Sequence, residues 1–112
     1  MSEPLYSYLR TYRKHSGLTQ VQVAYLLEHQ SADKISRYER GVRKPDLIDA
    51  FALQVIFDVP ANEMFRGLYH EIEITTQNRA YLLTKKVELN LPTPIVDRKI
   101  RFLRSIYQRA LD

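Results

Sequence analysis

The sequence contains no cysteine, only three glycines, and no apolar run near the roughly 18 residues that a membrane-spanning helix needs. Without cysteine there are no disulfides, no thiol nucleophile and no cysteine-ligated zinc, a composition compatible with a reducing compartment. So few glycines leave no glycine-rich phosphate loop, and no Gly-x-Ser-x-Gly nucleophile elbow occurs. His15, His29 and His70 stand apart without metal-ligand spacing, and His70 with Glu71 and Glu73 is a weak metal signal. No two carboxylates fall in a recognisable catalytic arrangement. The expectation is a non-enzymatic protein without cofactor or metal, and, with neither a signal peptide nor a membrane span, a soluble cytoplasmic one.

A hydrophobic content of 45% over 112 residues supplies one domain of ordinary size with an appendage. The net charge of +4 is unevenly placed. Residues 1–45 carry eight Lys/Arg against four Asp/Glu, residues 46–74 one against six, and residues 75–112 eight against three. The chain is therefore basic, acidic, basic. Its basic front attracts phosphates by counterion release, while the acidic middle should face away from a polyanion. The eight tyrosines are dispersed, and Tyr12 and Tyr38 fall on apolar stripes, so packing explains them better than stacking on unpaired bases.

The most informative stretch runs from Gly17 to Lys44. Thr19 and Gln22 have the form of a capping box, in which each side chain satisfies the other residue's backbone N–H, so a helix should begin here. Val23, Leu26 and Leu27 give it an inward face. Ser31 offers a second N-cap, Ile35 and Tyr38 an inward pair, and Gly41 a stop. Asp33, Lys34, Ser36, Arg37 and Arg40 are left to point outward. Two short helices joined by a tight turn, the second one polar and cationic, form the helix-turn-helix arrangement whose second helix fits a DNA major groove.

Thr19-Gln20, Ala24, Ile35-Ser36-Arg37, Tyr38-Glu39-Arg40-Gly41 and Arg43-Lys44-Pro45 together resemble the Cro/phage-repressor-type family of helix-turn-helix proteins. The resemblance covers about residues 5–66. The chain departs from the family in its turn, which reads Glu28-His29-Gln30 where a glycine is usual and is one residue longer. The resemblance implies an all-α fold, a five-helix lambda-repressor-like DNA-binding domain over 1–74. It also implies a structural pair between Arg13 and Glu39, and a phosphate-contacting, buttressing role for Gln20.

Elsewhere periodicity is the guide. A first helix is predicted from near Ser2 or Pro4 to His15, with Leu5, Leu9 and Tyr12 inward. Asp46, followed by Asp49 as an acidic residue in the first turn, caps a helix with Leu47, Ala50, Phe51, Val55 and either Ile56 or Phe57 inward, and Asn62 begins a fifth running to about Ile74, with Phe65, Leu68 and Ile72 on its stripe. Residues 75–112 are predicted as a two-helix tail. Ala80, Leu83 and Val87 mark one face; Val96, Ile100, Leu103, Tyr107 and Ala110 mark the other, behind a Thr93-Pro94 start. Such stripes need a partner, either the chain's own first domain, if the tail folds back on it, or a second subunit; half-site recognition favours the second, a homodimer through the tail.

Base contacts are expected from Asp33, Lys34 and Arg37, because a guanidinium can hold guanine O6 and N7 and a carboxylate can accept from cytosine N4. Each has a plainer role beside it: Arg37 on a phosphate or on Asp33, Lys34 on the backbone, Asp33 as a favourable charge in a helix's first turn. Gln20, Gln30, Ser31, Ser36, Arg40, Arg43 and Lys44 are the expected backbone contacts. The sequence favours a transcriptional repressor on double-stranded DNA. An antitoxin whose basic tail occupies an acidic toxin, and an adaptor that binds only proteins, stay open.

Overall fold

The computed structural model describes residues 6–109, and every regular element among them is a helix. In order these are α1 (Leu9–Ser16), α2 (Gln20–Leu26), α3 (Asp33–Arg40), α4 (Leu47–Phe57), α5 (Ala61–Met64), α6 (Arg66–Val87) and α7 (Pro94–Gln108). The all-helical class is as the sequence led one to expect. None of these helices is long and apolar enough to cross a membrane. The residues divide after His70 into two compact units.

In the first unit α1 packs on α3 and α4, α2 on α3, and α4 on α5. Leu9, Val23, Ile35, Tyr38, Leu53 and Met64 are fully enclosed, with Ala24, Leu27, Phe65 and Leu68 completing the core. The Tyr8 N–H donates to the Met64 carbonyl at 2.7 Å, so the entry to α1 is fastened to the end of α5.

Local signals set most of the helix ends. The Thr19 hydroxyl accepts from the Gln22 N–H at 3.1 Å, and the Gln22 side chain accepts from the Thr19 N–H at 2.9 Å, completing the capping box. Gly17 (φ 82°) and Gly41 (φ 73°) end α1 and α3 in the left-handed region that glycine enters without steric cost. A Cβ at Gly41 would lie 3.0 Å from the Tyr6 ring, so crowding and dihedral both select glycine there. The turn after α2 reaches the same geometry without glycine. The His29 N–H donates to the Ala24 carbonyl and the Glu28 N–H to the Tyr25 carbonyl, while Glu28 takes the left-handed position at φ 60°. An L-residue in that region costs roughly 1–2 kcal/mol.

Several expectations are corrected. Residues 6–8 precede α1 rather than belonging to it, and the Leu5 assignment, with the start near Ser2 or Pro4, falls outside the described residues. Leu26 is exposed because Ala24 is buried, which swings the inward face of α2 toward Val23, Ala24 and Leu27. Ala32, not Ser31, is the N-cap of α3; the Ser31 hydroxyl instead accepts from the Asp33 N–H at 3.4 Å. Asp46 does cap α4, accepting from the Asp49 N–H at 2.8 Å, but the helix is turned. Asp49 and Leu53 face inward with Ala52, Ile56 and Phe57, and Leu47, Phe51 and Val55 face water. The stretch expected as one helix to Ile74 is the short α5 followed by α6, which continues unbroken to Val87. Ile72, expected inward, is exposed.

In the second unit the Thr93 hydroxyl accepts from the Val96 N–H at 3.1 Å and Pro94 occupies the first turn of α7, as predicted. Gln77 Nε2 donates to the Ile106 carbonyl at 3.3 Å, the Tyr81 and Tyr107 rings meet edge to face at 5.5 Å, and Arg104 pairs with Glu88 at 3.1 Å. Ala80 is buried, but Leu83 is exposed, and Ala110 falls outside the described residues.

Candidate nucleic-acid interface

The α3 helix has two differently built sides. Ile35 and Tyr38, three residues apart, are sealed in the core. Asp33, Arg37 and Arg40, at four- and three-residue spacing, form an exposed line on the opposite side, flanked by the half-buried Lys34 and Ser36. Gln30 and Ser31 in the preceding turn and Arg43 and Lys44 in the following one are exposed as well. Among the described residues none of Lys34, Arg37, Arg40, Arg43 or Lys44 makes an ion pair, and Arg37 does not pair with Asp33. These cations are available to an external anion.

Behind this surface lie two polar anchors. In the first, Glu39 receives Arg13 in a forked contact, Nε to Oε2 at 2.5 Å and Nη2 to Oε1 at 3.1 Å, while Gln20 Nε2 donates to Oε1 at 3.0 Å. The Glu39 side chain is 3% exposed, and Arg13 Nη1 also donates to the Leu18 carbonyl at 3.1 Å. The hydrogen bond to Glu39 raises the Arg13 pKa above its ordinary value, overcoming the opposing effect of burial. One carboxylate thus joins α1, α2 and α3. Gln20 stands at the start of α2 with one amide hydrogen spent on this anchor and a second left to donate.

The second anchor is not visible in the sequence. The buried Asp49 of α4 accepts from the Tyr38 hydroxyl at 2.6 Å and meets His29 Nε2 at 2.8 Å, both on Oδ2. The α3 helix and the turn before it are therefore fixed to the same atom. His29 reads as isolated along the chain, and Asp49 as an acidic residue in a helix's first turn. What carries the pairing is the rotation of α4, which periodicity alone does not give.

Burial first, and then the bond to Asp49, push the Tyr38 hydroxyl well above its ordinary value of 10. The folded chain holds this proton to higher pH than the unfolded chain, so the resulting stabilisation is intact below pH 10 and declines as pH rises beyond it. The thermal midpoint of the native protein is expected to fall steeply above pH 10, and that of Tyr38→Phe, starting lower, to fall more gently. Parallel curves for the two proteins would show that Tyr38 does not contribute.

Two helices joined by a turn, the second offering an unpaired cationic line and locked from behind, make this a helix-turn-helix protein. A family model of the helix-turn-helix domain matches residues 6–64, just over half of the chain, and the chain belongs to that family. Membership supports a DNA-binding regulator. No curated protein and no solved structure matches the chain.

Proposed function

We propose that the chain is a transcriptional regulator of the Cro/phage-repressor type, which places α3 in the major groove of double-stranded DNA and represses by occupying a promoter in the cytoplasm. The supporting observation is the outward line of Asp33, Arg37 and Arg40, whose helix is held rigidly from the other side. Arg37 is the direct reader, with a forked guanidinium for guanine O6 and N7, and Asp33 and Lys34 lie beside it for neighbouring base edges. Gln30, Ser31, Ser36, Arg40, Arg43 and Lys44 hold phosphates, and the free amide hydrogen of Gln20 reaches another. The protein acts as a homodimer through its C-terminal helices, each copy reading one half of a two-fold site.

Arg37→Ala is expected to erase the preference for the cognate duplex over random DNA, a loss of about 1–3 kcal/mol of discrimination. Arg43→Ala is expected to weaken every sequence alike and to reduce the slope of affinity against salt by about one. Titration of both variants on cognate and random duplexes at several salt concentrations separates the roles. Equal losses on the two duplexes for Arg37→Ala refute its assignment as the reader.

A further inference from the structure

We infer that the outward side of α7, built on Arg98, Lys99 and Arg101, is a second DNA contact surface, one that holds the phosphate backbone of a duplex without reading its sequence. It goes beyond the proposed function, whose DNA contacts all lie in residues 20–44, and rests on that reading only for the choice of DNA as the polyanion.

At about 3.6 residues per turn the helix has two unlike sides. On one, Val96, Ile100, Leu103 and Tyr107 are half-buried. Here α7 meets α6, with the Tyr107 ring against Tyr81 at 5.5 Å and the Ile106 carbonyl accepting from Gln77 Nε2 at 3.3 Å. On the other side Arg98, Lys99 and Arg101 are exposed, and Phe102, one turn beyond Arg98 and Lys99, is 66% exposed among them. Among the described residues none of these three cations makes an ion pair. Asp97, the one acidic residue of α7, stands one turn before Arg101 without pairing with it. Glu88 is held instead by Arg104 at 3.1 Å and by Lys85 at 3.7 Å. The outward side therefore carries three positive charges that the chain itself does not answer.

The density of this charge selects the occupant. Arg98 to Arg101 covers about 4.5 Å of helix rise, and like charges one turn apart disfavour the helix until an anion meets them. Duplex DNA presents one phosphate charge per about 1.7 Å of its axis, so two or three phosphates fall within that span. A folded acidic protein reaches the same density only by crowding carboxylates, which oppose one another's ionisation. A second copy laid on this side by a two-fold axis would set the same cations against themselves, which leaves the proposed homodimer to other faces of the C-terminal helices. A lipid surface takes a helix whose apolar residues share one face, whereas the apolar line of α7 is already turned to α6, and Arg98 and Lys99 separate Ile95 from Phe102. Against a backbone, Phe102 rests on sugar while the cations hold the phosphates on either side.

The test titrates the full chain onto cognate and random duplexes across a salt series. A triple variant, Arg98→Gln, Lys99→Gln and Arg101→Gln, is expected to lower the salt slope by about 2 to 3 per chain and to weaken both duplexes by roughly tenfold or more at about 0.1 M salt, with the preference for cognate over random kept. Arg79→Gln, Lys85→Gln and Lys86→Gln together remove the same charge from α6 and should leave the slope near native. Arg98→Lys with Arg101→Lys keeps the charge and should keep the slope, which separates lost contact from lost fold, as does circular dichroism of each variant. An unchanged slope in the α7 triple variant, or an equal fall in the α6 variant, overturns the inference and leaves the reading of α3 standing. A fall in the α7 variant, with Arg37→Ala and Arg43→Ala both without effect, overturns the reading of α3 and leaves this surface. Displacement of the duplex by polyglutamate at matched charge assigns the face to acidic protein, and stronger binding to phosphatidylserine vesicles than to duplex assigns it to lipid; either overturns the inference.

Discussion

Asp49→Ala is expected to destabilise the folded protein by about 3–5 kcal/mol, because it removes a charged acceptor from two groups at once and leaves a buried phenolic donor unmet. Tyr38 is 1% exposed, so water does not replace the lost acceptor. His29 is less enclosed and can be partly rehydrated. Asp49→Asn keeps an acceptor of the same shape and should lose only about 1 kcal/mol. Urea unfolding of the three proteins gives the comparison. A loss below 1 kcal/mol for Asp49→Ala would show that the second anchor adds little. Domains of this size have a total stability of about 5–15 kcal/mol, so the alanine variant should sit near its unfolding threshold and bind DNA poorly even though Asp49 lies away from the proposed contact surface.

Glu39→Ala is expected to cost a similar amount, about 3–5 kcal/mol, for a different reason. It strands the Arg13 guanidinium, 12% exposed, with only the Leu18 carbonyl as a partner, and it frees Gln20 from its acceptor. Replacing both ends of the pair, Arg13→Met with Glu39→Leu, removes the stranded charge and should recover much of the loss. If the double variant is instead less stable than Glu39→Ala, the pair contributes more than mutual neutralisation. DNA binding adds a second readout, since Glu39 fixes α1, α2 and α3 to one another. The double variant should refold with a less firmly held α3 and, if α3 reads bases as proposed, a weaker preference among sequences.

What could be read in the chain follows from how local each signal is. Thr19 with Gln22, Asp46 with Asp49, Thr93 with Pro94, and the glycines at 17 and 41 act within a few residues, and each marks a helix end in the structure. The inward pair Ile35 and Tyr38 is equally plain, because polar residues surround them. The α4 helix was not legible. Its sequence, LIDAFALQVIF, is apolar nearly all round, so periodicity offers no preferred face, and the natural assumption puts its one acidic residue in water. The fold does the reverse, since Tyr38 and His29 arrive from α3 and the turn to satisfy Asp49, and this turns Leu47, Phe51 and Val55 outward. The end of α6 is not legible either. The stop expected near Ile74 falls just past the reach of the family resemblance, and nothing in residues 70–78 forbids helix, so the backbone continues unbroken to Val87. The Arg13 and Glu39 pair, 26 residues apart, is implied by family resemblance and not by spacing, and the folded chain brings the two together in a forked contact.

The central claim is that the exposed side of α3 distinguishes one duplex sequence from another. Selection of bound duplexes from a random pool tests it most directly, with the native protein and Arg37→Ala carried through the same rounds. The native protein is expected to enrich a common motif containing guanine, and Arg37→Ala to yield a pool that has lost preference at that guanine. A folded native protein that returns a pool no different from the starting one would contradict the account.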